Sequence, residues 1–348
     1  MNDRLKIPDE VKIESSCPAW WDEYPQAERS FYQSSLWGKY LEGRGDHRVF
    51  YCSCEREGMI LGSLLAYLEP VAARAGRLFG LSKLYWHHGP LLSDPGDFET
   101  ARAILAGLFE TTGRRLLLRG FPPYIDQRQV GDLYPRLAEA FRLGLTKWAT
   151  YLVDLSGGEE KAWSNLLPDA RRLVNRMEEA GYEVKWLDRN SLESYRELLK
   201  TYRKAAGLDL PPLYPTEELI DLVGDKSVLL PGVYIEGKLC AVSPALAYGD
   251  SCFFFGAAQD PGLQGRERSI SYLLQWNILK NGCSRGLKNY DLVGVSADPE
   301  NEKEAGIRLF KSKWGGELVE YPVLEGGQGP AGELLRYMKN QYRKLISK

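Results

Sequence analysis

The strongest constraint on how this chain can fold is an internal echo. Residues 49–68, VFYCSCEREGMILGSLLAYL, hold two β-rich runs around Arg56-Glu57-Gly58, and residues 232–248, GVYIEGKLCAVSPALAY, hold two more around Glu236-Gly237-Lys238. Both read as hairpins, because glycine supplies the positive φ that a tight turn requires. Both carry Glu-Gly at the turn and close on Ala-Tyr, at Tyr67 and Tyr248. The first copy continues with a strand near Leu84–Leu92, a helix over 97–112 with Asp97 as N-cap and Gly113 past its end, and a strand Arg115–Arg119 that ends at Gly120. The second continues with a strand Ser251–Ala258, then a helix over 269–281 with Ser269 at its start and Gly282 past its end, then a strand Tyr290–Val293 that ends at Gly294. Ile270, Leu273, Leu274 and Ile278 share one face of that helix. Hairpin, strand, helix, strand is an order that many α/β domains use. The matching turn residues and caps are what argue for duplication.

Between the copies lie helices. Glu159–Leu166 runs into Pro168, which suits the first turn of a second helix ending near Gly181. Tyr182–Leu187 alternates like a strand, and Ser191 caps a helix with Leu192, Tyr195, Leu198, Leu199 and Tyr202 at core spacing. Arg203 and Lys204 fall in its last turn, where cations suit the helix dipole. A Pro-rich loop, Leu208–Pro215, leads to a short helix capped by Thr216, and Glu333–Lys348 reads as a basic helix, either a solvated face or a contact for anionic membrane or RNA. A helix pair followed by a multi-stranded sheet is the order of the N-acyltransferase fold.

Several function classes drop out. A net charge of -2 gives no global field to gather nucleic acid. No apolar run is long enough to span a bilayer or form the core of a signal peptide. The expectation is therefore a cytoplasmic protein, with peripheral contact at the inner face of the membrane as its closest approach to lipid. Cys17, Cys52, Cys54, Cys240, Cys252 and Cys283 are scattered without a CxxC pair, and read as reduced, mostly core thiols. With His47, His87 and His88 they make no metal site at the usual spacings, so no metal and no resident cofactor is expected.

Four segments resemble one family. Gln33-Ser34-Ser35-Leu36-Trp37-Gly38-Lys39 is similar to the opening Q-S-x-x-W motif of the Fem family of peptidyltransferases, and His88-Gly89-Pro90 sits where that family has Arg-Gly-Pro. Tyr272-Leu273-Leu274-Gln275-Trp276, followed by Tyr290-Asp291-Leu292-Val293-Gly294, resembles its helix and Y-D-x-x-G strand. Gly306-Ile307-Arg308-Leu309-Phe310-Lys311 with Trp314-Gly315-Gly316 resembles its closing motif. The likeness runs from about residue 30 to 325. It implies an α/β (α+β) chain of two tandem GNAT-like domains, 1–155 and 156–348, with mixed sheets flanked by helices. It implies transfer of an amino acid from aminoacyl-tRNA to an amine of a peptidoglycan precursor. Lys39 and Arg203 would hold the precursor's diphosphate, Trp37, Phe254, Tyr272 and Phe310 would line the substrate, and Lys311 would sit near the reacting ester. The chain departs from the family at His88 and at Phe253-Phe254-Phe255, where tyrosines are common, so the acceptor stays open.

The residues themselves allow that chemistry. Acyl transfer to an amine needs a positioned ester or thioester and a donor facing the oxyanion, not a protein nucleophile. No GxSxG elbow is present. Lys311, between Phe310 and Trp314, suits oxyanion or phosphate contact, or else packs its stem on Trp314. Asp291 could orient an amine or cap the Gly294 turn. His87 and His88 could supply a base or simply end a strand. The loop Gln259–Ser269, with Gly262, Gly265, Arg266 and Arg268, joins a strand to a helix where CoA-dependent acyltransferases cradle pyrophosphate. Gln264 breaks that pattern, which leaves a surface loop, or a local tRNA contact through Arg266 and Arg268. Two rival readings stand beside the Fem-like one. The first is a CoA- or acyl-carrier-dependent N-acyltransferase of surface polysaccharide synthesis. The second is a non-catalytic glycan- or protein-binding module.

Overall fold

The computed structural model describes residues 10–24, 30–70, 82–113, 117–123, 131–207, 220–221 and 227–326. The chain forms two compact units. One comprises Met1–Trp148 with Tyr321–Lys348, and the other Ala149–Glu320.

In the first unit the hairpin forms as its turn dictates. Strands β2 (Arg48–Arg56) and β3 (Met59–Pro70) meet at Glu57, φ 51°, and Gly58, φ 77°. Two consecutive positive φ values give the turn whose twist matches that of paired strands. The sheet order is β1 (Glu10–Glu14), β2, β3, β4 (Ser82–Trp86), β6 (Leu118–Gly120), with β5 (Leu91–Leu92) on β3. Only β4 and β6 run parallel. Alternate residues Phe50, Cys52, Cys54, Leu64, Ala66, Leu84 and Trp86 turn to one face. There they pack under helices α2 (Phe98–Thr112) and α3 (Leu133–Phe141). The expected cap of α2 is present, with Asp97 accepting from the amide of Thr100 at 3.1 Å.

The second unit begins within β7 (Gly144–Asp154) and adds α4 (Gly158–Asn165), α5 (Pro168–Glu179), β8 (Val184–Trp186) and α6 (Leu192–Ala205). Two sheets follow. The larger has the order β7, β15 (Asn289–Asp291), β13 (Ser251–Phe254), β12 (Ala245–Tyr248), β9 (Val228–Leu229), with only β13 and β15 parallel. The smaller has the order β14 (Ala258–Gln259), β11 (Lys238–Val242), β10 (Pro231–Ile235), β8. Helix α7 (Ile270–Ser284) lies in the core with Leu155, Val174 and Met177, and α8 (Glu302–Ser312) follows β15.

Several expected strands are broken, and the breaks shape this unit. The second hairpin turns at Glu236 and Gly237 as expected, but β11 stops at Val242. Pro244 has no amide to give a ladder, and β12 starts afresh in the other sheet. The strand expected over Ser251–Ala258 likewise divides into β13 and β14, one in each sheet, around Gly256 at φ 120°. In the first unit the strand expected over Leu84–Leu92 divides at His87–Pro90, with a cis Gly89-Pro90 bond. Gly282 lies inside α7, not past its end; a Cβ there would stand 2.7 Å from Leu155, so the glycine permits close packing. The N-terminal cap of the α6 segment comes from Asp188, which accepts from the amide of Ser191, not from Ser191 itself.

The expected single boundary at 155/156 also differs from the division the fold adopts. Strand β16 (Glu317–Glu325) ends by pairing with β6, Leu324 opposite Gly120, which returns its last residues to the first unit. The loop Leu208–Pro215, the helix expected from Thr216 and the basic helix Glu333–Lys348 lie outside the described residues.

Candidate active site

The central geometry lies where two parallel strands part. β13 and β15 pair over Ser251–Phe253 and Asn289–Asp291. Beyond that, the β13 chain leaves for the smaller sheet, while the β15 chain turns through Val293 (φ 45°) and Gly294 (φ 48°) toward a bridge between Val295 and Ala149. The carbonyls of Val293 and Gly294 lose their strand partner, and a side chain satisfies both. Lys311 Nζ donates to Val293 O and to Gly294 O, the latter at 2.9 Å, and lies 5.4 Å from the ring centre of Phe254. An ammonium has three donors. Two are fixed on backbone, so the third has a set direction.

Lys311 reaches this position because α8 is turned inside out. Asn301 caps it by accepting from the amide of Glu304 at 3.0 Å, and Glu302 and Glu304 sit in its first turn. Ile307 and Leu309 are exposed while Lys311 is only 7% exposed. Burial lowers the Lys311 pKa to about 8, opposed by the nearby Asp291 carboxylate. Asp291 is itself buried and accepts from the Thr150 hydroxyl and, at 2.8 Å, from the amide of Val293. Its carboxylate therefore shapes the turn that Lys311 binds. That is the capping role weighed from the sequence, with an electrostatic consequence for Lys311.

Phe254, Asp291 and Lys311 thus come together. Tyr272 and Phe310 belong to an aromatic cluster, their ring centres 5.3 Å apart and both against Trp314. The Tyr272 hydroxyl accepts from Lys313 Nζ at 3.1 Å, and Lys313 pairs with Asp169 at 2.6 Å. Arg203 is half-buried in the last turn of α6.

The loop expected to meet the donor braces itself. Asp260 accepts from the amide of Gly262 at 2.8 Å and pairs with Lys238, and Leu263 N donates to Asp260 O. Arg268 donates to Leu263 O at 3.3 Å, while Arg266 is exposed on the single 3-10 turn Gly265–Ser269 that leads into α7. Amides that could cradle a pyrophosphate are partly used, and the Asp260 carboxylate sits among them. Beside the loop lies a cavity of about 970 Å³, where Lys200, Lys204 and Lys238 face Glu197 and Asp260.

In the first unit the Gln33–Trp37 segment is architectural. Gln33 bonds both the amide and the carbonyl of Leu65, at 2.8 and 3.1 Å, and donates to His87 O at 2.5 Å. Ser34 caps α1 (Ser35–Gly43) by accepting from the amide of Trp37. Trp37, expected to line the substrate, is 2% exposed and packs against Phe31, Tyr32 and Tyr40. Lys39, one residue on from Gly38, is exposed on the same helix. His87 stacks on Tyr32 and Phe121, and burial lowers its pKa to about 3, so at neutral pH it is a poor proton acceptor.

One polar cluster escaped the sequence reading. The buried Gln275 amide donates to Ser243 Oγ at 2.6 Å and accepts from the Tyr290 hydroxyl at 2.7 Å. It ties α7 and β15 to the strand break at Ser243. Glutamine at the centre of an otherwise apolar helical run was the available signal.

Residues 165–304 match the acetyltransferase (GNAT) domain family. A crystal structure of FemX superposes with a TM-score of 0.68 at 14% identity, over 89% of this chain and 96% of that one. The chain has the fold of the Fem-like tandem GNAT proteins. Two other structures place this Fem-like fold in wider company. L-PGS from Bacillus licheniformis gives a TM-score of 0.55 at 14% identity, covering 87% of this chain and 90% of that one. A tandem GNAT protein from the clavulanic acid biosynthesis pathway gives 0.54 at 13%, covering 92% and 100%. No curated protein matches the chain in sequence. Among the described residues no helix is long and apolar enough to cross a membrane, and no cluster of side chains could hold a metal ion.

Proposed function

We infer that this chain is a Fem-like N-acyltransferase, moving an aminoacyl group from an aminoacyl-tRNA to an amine of a peptidoglycan precursor or a similar cell-envelope acceptor. The observation that carries this reading is Lys311, a buried amine held on two carbonyls with its third donor aimed by geometry. In the reaction the acceptor amine attacks the ester carbonyl. A C–N bond forms, the C–O bond to the ribose breaks, and the proton lost by the amine ends on the leaving hydroxyl. Lys311 donates its remaining N–H to the carbonyl oxygen as negative charge builds there, which is where a fixed donor lowers a barrier. We assign the cluster of Tyr272, Phe310 and Trp314 to shielding the ester from water. Arg203, in the last turn of α6, is the residue of this unit that we assign to phosphates of the acceptor.

A CoA-dependent acyl transfer is the second reading, favoured by the match of residues 165–304 to the acetyltransferase domain. The self-bonded loop and the Asp260 carboxylate weigh against it. Calorimetric titration separates the two. Binding of a UDP-linked muropeptide with no heat from CoA is expected, and tight CoA binding without muropeptide binding would reverse the order. On a confirmed substrate, Lys311→Met is expected to cut kcat by roughly 10²–10³-fold, the loss typical of one oxyanion donor. An unchanged kcat would remove Lys311 from the mechanism.

A further inference from the structure

The outer face of α5 carries a feature that the acyl-transfer chemistry does not use. This helix buries Ala170, Val174 and Met177, each 0% exposed, and turns Arg171, Arg172, Asn175 and Arg176 outward. These four residues, with Trp163, Pro168, Leu173 and Glu179, line a groove of about 760 Å³. Arg171 donates to Ser164 O at 3.2 Å and so braces the end of α4. Arg172 and Arg176 are exposed, and neither has an ion pair among the described residues. They sit four apart on the helix, one turn from each other on the same face. Three guanidinium groups against one carboxylate make a locally basic groove on a chain whose net charge is -2.

The groove joins the Lys311 region through backbone. Leu167 N, at the head of α5, donates to Lys313 O at 3.0 Å, and Asp169 pairs with Lys313. A polyanion lying along α5 would therefore end near the segment that follows Lys311. Guanidinium forks match phosphate oxygens, and an aromatic ring in a basic groove is the pattern that takes a nucleic-acid strand by stacking and charge together. A bilayer would ask for apolar surface instead, and five of the eight lining residues are polar or charged, beside Trp163, Pro168 and Leu173.

We propose that the α5 groove binds the phosphodiester backbone of an RNA strand through Arg172 and Arg176, with Arg171 and Trp163 as its inner wall. This deepens the aminoacyl-tRNA reading above and rests on it. The test uses the full chain and fluorescently labelled, deacylated bulk tRNA, followed by anisotropy across a salt series. Wild type is expected to bind with log K falling linearly against log salt. Arg172→Ala/Arg176→Ala is expected to bind at least about tenfold more weakly, with a slope smaller by about two, one for each phosphate no longer neutralised. Thermal melting checks that the variant folds; if it does not, Arg176→Ala alone carries the test, with a slope smaller by about one. Equal binding and slope in wild type and variant would overturn the groove while leaving the aminoacyl-tRNA donor standing. No binding of tRNA by wild type would overturn both. A variant that binds tRNA normally but no longer binds phosphatidylglycerol vesicles would make the groove a membrane contact and overturn the proposal.

Discussion

Lys311 shows what a single residue in the wrong kind of place can do. The free-chain value of 10.5 falls to about 8 in the fold because burial disfavours the ammonium. Between those two pH values the unfolded chain holds a proton that the folded chain has released, so stability from this group rises with pH across that window. The stability of wild type minus that of Lys311→Met should therefore climb between pH 8 and 10.5, by at most ~1.4 kcal/mol per pH unit. Denaturant melts at a series of pH values measure it, and a flat difference would mean the amine stays charged. Activity should move oppositely. If the charged amine serves the oxyanion, the rate on a confirmed substrate declines as pH passes about 8. The sequence made Lys311 a candidate through its motif position and its place between Phe310 and Trp314. Its burial was not legible, because Ile307 and Leu309 on the same helix are the residues that hydrophobic patterning sends inward, and here they face solvent.

At the scale of elements, local chemistry was readable and strand continuity was not. Glu57-Gly58 and Glu236-Gly237 announce their turns because the turn type is decided by the two residues themselves. Asp97 announces α2 for the same reason. Pro244 and Gly256 were local signals for the breaks at Ser243–Pro244 and Phe255–Gly256, but the choice between two sheets was not legible, because distant partners make it. Gly120 is another position fixed by a distant partner. A Cβ there would fall 2.0 Å from the ring of Trp86, which is fully buried and donates to the Tyr134 hydroxyl at 3.0 Å. The ring cannot swing aside without breaking that bond. Gly120→Ala is accordingly expected to destabilise the chain by ~1–3 kcal/mol, the usual cost of overpacking. Its first melting transition should drop, and an unchanged melt would show that the ring yields freely.

For the whole molecule, two similar modules are legible in the sequence, but the division of the chain between them is not. Hairpin, strand, helix, strand is a local order and could be read twice. The destination of the last strand could not, because nothing near Leu324 states that its partner is Gly120, about two hundred residues earlier. The division predicts an asymmetry. A fragment of residues 149–320 should fold and melt cooperatively alone, since it holds its own core from Ala149 to Trp314. A chain stopped at residue 320 should keep that transition and lose the other, which differential scanning calorimetry would resolve. Survival of both transitions would mean that the first unit does not need its returning strand.

The same returning strand sets a timetable on the ribosome. Leu324, fully buried in the first unit's core, is among the last described residues to be synthesised. The unit that is translated first thus stays incomplete until almost all of the second unit has been made. A pause in translation, or a nonsense codon late in the message, would penalise the beginning of the protein more than its middle.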